Sequence, residues 1–207
     1  MNLVVISSPD DLQNETCLVN ALFEAGLNRF HLRKPFASTE VLNNYLLKLH
    51  PDYWNRVVIH YNFELLNKFP VAGFHFNQHN LEWIKYKGLV HKSYSAHSFE
   101  EIIWLNATKF NYIFLSPVFD SISKPGYTKQ FTSGSICEFM KSGKARNSIV
   151  ALGGIDEENM EEVKSMGFSG AALMGAIWTP LQNRESVNCI VDKFFKMKEV
   201  WQTNLMF

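Results

Sequence analysis

The chain is poor in cysteine, carries no excess of charge of either sign and has no long apolar run. Its 207 residues hold three cysteines, Cys17, Cys137 and Cys189, odd in number, far apart and without metal-ligand spacing. Each falls in an apolar helical pattern, which predicts buried free thiols and fits a reducing cytosol. Twenty basic residues balance twenty acidic ones, so nothing calls for nucleic acid or an anionic membrane as partner. An anion, if bound, is held at a local site. No apolar stretch approaches the length that spans a bilayer. The opening "MNLVVISSPDD" lacks a basic n-region, and its apolar run is too short for a signal peptide. The expectation is a soluble cytoplasmic protein with no membrane partner. No linker, low-complexity tract or composition shift marks a second unit, so one domain is expected over residues 1–207. What is present is apolar content of 46%, including 14% aromatics, enough for a well-filled core.

Short β-rich runs recur with helical patterns between them. Strands are expected at "LVVIS" (3–7), "RFHLR" (29–33), "RVVIH" (56–60), "AGFHF" (72–76), "LVHKSYS" (89–95), "YIFLS" (112–116), "IVALGG" (149–154) and "GAALMG" (170–175). Helices are expected at "DDLQNETCLVNALFEAG", "STEVLNNYLLKLH", "SFEEIIWLNAT", "SICEFMKSG", "DEENMEEVKSMG" and "SVNCIVDKFFKMKEVW", where apolar residues return every three or four positions. Shorter ones are expected at "FELLNKF" and "NLEWIKYKG". Alternation of this kind argues for parallel strands joined by crossovers. Eight units of roughly 26 residues sit near the lower size limit of a (β/α)8 barrel, an α/β TIM barrel. An open doubly wound sheet would favour a glycine-rich turn after the first strand, and "ISSPDD" has no glycine.

In such a barrel, chemistry belongs to the C-terminal ends of the strands. Those ends supply His31, Arg33 and Lys34; then His60, Tyr61 and Asn62; then Asn77, Gln78, His79 and Asn80; then Ser95 and His97. The sixth end runs into "SPVFDSISKPGYTKQ", and the last two finish in Gly153-Gly154 and Met174-Gly175. The glycines suit a phosphate held by backbone N–H groups, or merely turn the chain. Ser121, Ser123 and Lys124 could hold a second anionic group, or form solvated surface. "SYSAHSFEE" raises a similar choice for His97, as catalyst or as helix opener. Ser95 or Ser98 can cap a helix there, and Glu100 and Glu101 suit its positive end.

Read in order, these ends resemble the thiamine phosphate synthase (thiamine phosphate pyrophosphorylase) and thiazole tautomerase family. The stretches that carry the resemblance are "HLRKP", "AGFHFNQHNL", "SYSAHSFEE", "YIFLSPVFDSISKPGY", "IVALGGID" and "GFSGAALMGAI", in family order over about residues 29–178. The resemblance implies small-molecule partners: a thiazole phosphate and, in the synthase, a hydroxymethylpyrimidine diphosphate that loses its diphosphate. It implies thiazole phosphate binding by Ser121, Ser123, Lys124, Gly153, Gly154, Met174 and Gly175. It places His31, Arg33, Lys34, His60 and Ser95 on the pyrimidine-diphosphate side, Arg33 suiting a bidentate anion contact. It leaves the oligomeric state open, a homo-oligomer included.

The pattern departs from the synthase at identifiable positions. The family's Gln-Leu-Arg-x-Lys reads His31-Leu32-Arg33-Lys34-Pro35, and the two aspartates that hold magnesium in the synthase align with Tyr61 and Asn80. A hard dication prefers carboxylate oxygens. The departures gather on the pyrimidine-diphosphate side, and the tautomerase, like this chain, carries histidine before the arginine. Its catalytic histidine matches His97, and an imidazole can both take and return a proton near neutral pH. Three readings follow. The first is a metal-independent, tautomerase-like enzyme with His97 as acid and base and no cofactor. The second is a synthase that uses Mg2+ through a rearranged site, with acidic groups such as Asp120 or substrate oxygens. The third is a non-catalytic binder of thiazole or thiamine phosphate.

Overall fold

The computed structural model describes residues 3–85, 89–120 and 130–203. Eight parallel strands pair in sequence order and close into a barrel: β1 (Leu3–Ile6), β2 (Arg29–Leu32), β3 (Val57–Ile59), β4 (Gly73–Phe76), β5 (His91–Ala96), β6 (Tyr112–Leu115), β7 (Ile149–Leu152) and β8 (Gly170–Leu173). The seam is shut by β1 against β8, with Leu3 opposite Ala171 and Val5 opposite Leu173. Side chains alternate across each strand. Val5, Phe30, Leu32, Ile59, Phe74, Phe76, Ile113 and Leu115 face outward into the main core shared with the helices. Val4, Ile6, Tyr112, Phe114, Val150 and Ala172 face inward and pack as a separate cluster inside the barrel.

The outer layer is α1 (Glu15–Glu24), α2 (Thr39–Leu47), α3 (Phe99–Trp104), α4 (Ser133–Lys141), α5 (Met160–Ser165), α6 (Gly175–Gln182) and α7 (Val187–Gln202). Their buried faces follow the three- and four-residue spacing: Leu18, Val19 and Leu22 in α1, and Ile190, Phe194 and Met197 in α7. Among the described residues, the third and fourth units carry single 3₁₀ turns, Phe63–Asn67 and Leu81–Lys85, and residues 86–88 of the expected "NLEWIKYKG" helix lie outside the described residues. Helix α6 was not anticipated from the pattern. It is anchored through Trp178, whose indole N–H donates to the Ile6 carbonyl at 2.6 Å.

The cysteine expectation needs correction. Cys17 and Cys189 are exposed and Cys137 is only half-buried. Cys17 lies beside the α1 stripe, not on it, and Cys189 precedes the buried Ile190 and turns its Sγ to Glu185. No helix among the described residues is long and apolar enough to cross a membrane.

Candidate active site

A cavity of about 590 Å³ opens at the C-terminal ends of the strands, within the size range of small-molecule sites. Arg33, His60, Tyr61, Ser95, His97, Gly153 and Met174 line it, together with Asn77, Gln78 and His79. Arg33 is the one permanent cation on its wall among the described residues, and Glu101 the one carboxylate. The arginine's backbone is fixed by Ser7, which accepts from Arg33 N–H at 2.8 Å and donates to Arg33 O at 2.9 Å.

His97 and the helix cap divide between neighbours. Ser98 is the N-cap of α3, its hydroxyl accepting from Glu101 N–H at 3.1 Å. Ser95 turns inward to His75 instead. The His97 ring is exposed to the cavity, with Nδ1 at 3.0 Å from the Ser116 carbonyl oxygen. A carbonyl only accepts, so Nδ1 carries the proton and Nε2 keeps a lone pair. Glu101 accepts from His97 backbone N–H at 2.8 Å and holds the loop in place.

At and beneath the cavity wall, β2, β4, β5 and the residue after β3 supply a histidine each, with His60 and His75 lining the cavity. His31 Nδ1 and His60 Nε2 share a hydrogen bond of 2.8 Å, and His31 Nε2 bonds the Tyr112 hydroxyl. His75 reaches Ser93 through Nδ1 and Ser95 through Nε2, each at 2.9 Å. His91 lies deeper, against the Tyr112 ring. Burial, reinforced by neighbouring imidazoles, holds His31 and His60 well below the usual imidazole range. Burial, then His91 and Arg33, takes His75 down to about 3, and burial with Arg29 takes His91 to about 3. These rings are neutral at physiological pH.

Several expected site residues take other places. His31 is completely buried, one layer below the cavity wall. Lys34 is removed from the site: its Nζ lies 2.6 Å from Glu15 Oε2 and 2.6 Å from Asp10 O, and only 2% of its side chain is exposed. The strand parity that sends Arg33 inward sends Lys34 outward, where Glu15 waits on α1. Gly153 and Gly154 have φ of 103° and 64°, and a Cβ on Gly154 would sit 2.3 Å from Asp120 O. Their missing side chains therefore already serve the turn and the close approach of the loop after β6. Gly175 opens α6 directly after Met174. Ser121, Ser123 and Lys124 lie outside the described residues.

His75, Ser93, Tyr112 and Glu101 are functional candidates that reading the strand ends missed. The signal was the period of two: "HKSYSAH" places His91, Ser93, Ser95 and His97 on one face. The inward face of β4 carries His75, which lines the cavity from within the strand and not from its end.

Two metal chemistries can be tested against these donors. Magnesium wants hard oxygen ligands. Tyr61 offers a phenol, and Asn80 has spent its Oδ1 on Asn77 N–H at 2.7 Å, closing the loop after β4. Glu101 is engaged by His97 N–H and by Tyr94. That set does not fit magnesium. The nitrogens of His31, His60 and His75 lie within 4.8 Å of one another, a donor type suited to a borderline transition metal. However, the His60 and His75 rings stack with centroids 4.1 Å and planes 21° apart, so their in-plane lone pairs run side by side and do not converge.

The family model described as thiamine monophosphate synthase matches residues 2–177. A solved thiamine phosphate pyrophosphorylase from Bacteroides thetaiotaomicron is 30% identical, with 97% of each chain covered and a TM-score of 0.83. The thiamine-phosphate synthase of Staphylococcus saprophyticus is 24% identical over 96% of this chain and 97% of its own length. A thiamine-phosphate synthase from Rhodopirellula baltica is 34% identical over 90 residues, and the chain spans only 23% of that relative's length. With a family match over most of its length, on a closed eight-stranded barrel with a cavity at the expected end, the chain belongs to the thiamine monophosphate synthase family.

Proposed function

We propose that the cavity binds a thiazole phosphate and shifts a proton on it without a metal, with His97 as the acid and base. The observation that carries this reading is the donor set on the pyrimidine-diphosphate side. Tyr61 and an already occupied Asn80 stand where a dication would need carboxylates. The tethered His97 supports the same reading, since its Nδ1–H points at Ser116 O and Nε2 is left for the cavity. The phosphate would lie against Gly153 and Met174 near the start of α6, where backbone N–H groups favour an anion. Arg33 would hold a second acidic group of the substrate.

Condensation of a pyrimidine diphosphate with the thiazole phosphate is the second reading. The relatives favour it over the first, because they are named as a thiamine-phosphate synthase and a thiamine phosphate pyrophosphorylase. For this chain it would need magnesium ligands other than those at positions 61 and 80.

The separating experiment supplies purified protein with a thiazole phosphate tautomer, and in parallel with both synthase substrates, each with magnesium or with EDTA. Proton shift indifferent to EDTA, lowered by about 10² to 10⁴ in His97→Ala with binding little changed, is the expected result. Strong magnesium-dependent thiamine phosphate formation by the unaltered protein would reverse the order of the two readings.

A further inference from the structure

Six side chains inside the barrel form two hydrogen-bonded runs that meet at Ser93 and Tyr112, with His60 at one end and Ser95 and His75 at the other lining the same cavity. Ser95 Oγ meets His75 Nε2 at 2.9 Å, and His75 Nδ1 meets Ser93 Oγ at 2.9 Å. Ser93 and Tyr112 are register partners across β5 and β6, which sets the two hydroxyl-bearing side chains next to each other on the inner face. Tyr112 bonds His31 Nε2, and His31 Nδ1 meets His60 Nε2 at 2.8 Å. The remaining nitrogen of His60, Nδ1, has no hydrogen-bond partner among the described residues, and both His60 and Ser95 line the cavity. The interior members His31, Ser93 and Tyr112 are fully buried, so solvent does not reach the middle of the chain.

Each member can give one proton and take one. A neutral imidazole has one donor and one acceptor nitrogen, and a hydroxyl donates once and accepts. The six can therefore be ordered with every donor pointing the same way. Burial keeps the three rings neutral, which this ordering requires.

We infer that this chain is a proton relay joining two points of the cavity wall, a second proton-transfer route beside His97. Its catalytic role rests on the reading that the cavity hosts proton transfer. A proton accepted at His60 Nδ1 releases Nε2–H to His31 Nδ1. His31 Nε2–H then passes to Tyr112, the Tyr112 O–H to Ser93, and the Ser93 O–H to His75 Nδ1. His75 Nε2–H passes to Ser95, whose own O–H goes to the substrate. At every member one bond to hydrogen forms and one breaks, and no charge remains inside the barrel. A later proton taken by Ser95 from water and released at His60 restores the starting order. Tyr112, His31, Ser93 and His75 are thus positioning and relay residues, acting through the two ends.

Histidine-labelled ¹⁵N NMR of the full chain near neutral pH tests the relay without any ligand. The expected spectrum shows three neutral rings for His31, His60 and His75. The buried His31 N–H should exchange with D2O about 100-fold faster than the β2 amides beside it, which exchange only by opening of the strand. Tyr112→Phe removes one hydroxyl at constant shape and should slow that exchange by at least about tenfold. His31→Gln is the second variant, because an amide cannot trade donor for acceptor as imidazole does. In thiazole phosphate turnover, either variant should lower kcat about 10- to 100-fold at unchanged KM and straighten a curved proton inventory in mixed H2O and D2O. A charged imidazole among the three, or His31 N–H exchange no faster than the amides, overturns the relay. Fast exchange with kcat within about twofold in folded Tyr112→Phe overturns its part in catalysis. Fast exchange in an unaltered protein that does not turn over thiazole phosphate supports the relay and sinks the proposed activity instead.

Discussion

The inside of the barrel has two unlike halves. From β6 through β8 to β1 the inward positions are Tyr112, Phe114, Val150, Leu152, Ala172, Val4 and Ile6, a surface apolar but for the Tyr112 hydroxyl. From β2 through β5 they include His31, His60, His75, His91 and Ser93, buried but polar, and the half-buried Ser95. The apolar half is stabilised by area removed from water and by close packing. The polar half is tolerated because its hydrogen bonds are made inside the protein, His91 Nε2 being an exception among its buried side-chain atoms. One barrel thus gathers most of its buried polar groups on one side and its apolar filling on the other. Phe114 joins the two, packed against the rings of both His31 and His75.

That division can be broken at its seam. Phe114→Ala should cost about 3–5 kcal/mol in urea unfolding, because a fully buried ring leaves a void that its neighbours cannot close. A loss below about 1 kcal/mol would mean that the apolar half is not close-packed. Lys34→Met tests the other correction, that a cation expected in the site belongs to the wall. Leaving Glu15 buried without its partner should cost about 3–5 kcal/mol while KM stays unchanged in the folded variant. A raised KM with intact stability would return Lys34 to the cavity.

Acid should attack the polar half selectively. Its histidines have folded pKa values below the unfolded value of about 6.5, so the unfolded chain binds more protons beneath that pH. Their stabilising contribution is full above about pH 6.5 and shrinks as pH falls toward 3, where His75 and His91 titrate in the fold. Each fully depressed imidazole withdraws about 1.4 kcal/mol per pH unit. Glu15, raised by burial, works in the opposite sense, as one group against four. Urea midpoints that hold constant from pH 7 to about 4.5 would show these rings are not buried neutral. The smallest effect concerns the loop that holds His97. Ser98→Ala should cost about 1 kcal/mol by removing the α3 cap, with turnover little changed, whereas His97→Ala should do the reverse. Equal losses of activity in both would mean that His97 acts through the helix.

Much of the architecture was legible from period alone. The apolar runs matched the strands to within two residues at either end, because a buried parallel strand needs little beyond its own apolar residues. The helices were overread: "DDLQNETCLVNALFEAG" holds a helix only over Glu15–Glu24, since the polar residues before it share its composition but not its packed face. In the site, Arg33, His60, Ser95 and His97 were found at strand ends and do line one cavity. Ser93 and Tyr112 were passed over because they sit one layer deeper, and His75, which lines the cavity, because it lies inside the run "AGFHF" and not at its end.

The sequence by itself determined the barrel, the end at which the cavity opens and the histidine and arginine that line it, since local periodicity and strand termini encode all of these. It also set Tyr61 and Asn80 after the third and fourth strands. Only the tertiary structure decided which polar groups meet. Lys34 and Glu15 are 19 residues apart, His31 and His60 are 29 apart, and His31 and Tyr112 are 81 apart. No local pattern specifies such pairs. The His31 pairs follow from barrel closure, which fixes each inward position against its neighbours, and the Lys34–Glu15 pair follows from the packing of α1 on the outer face.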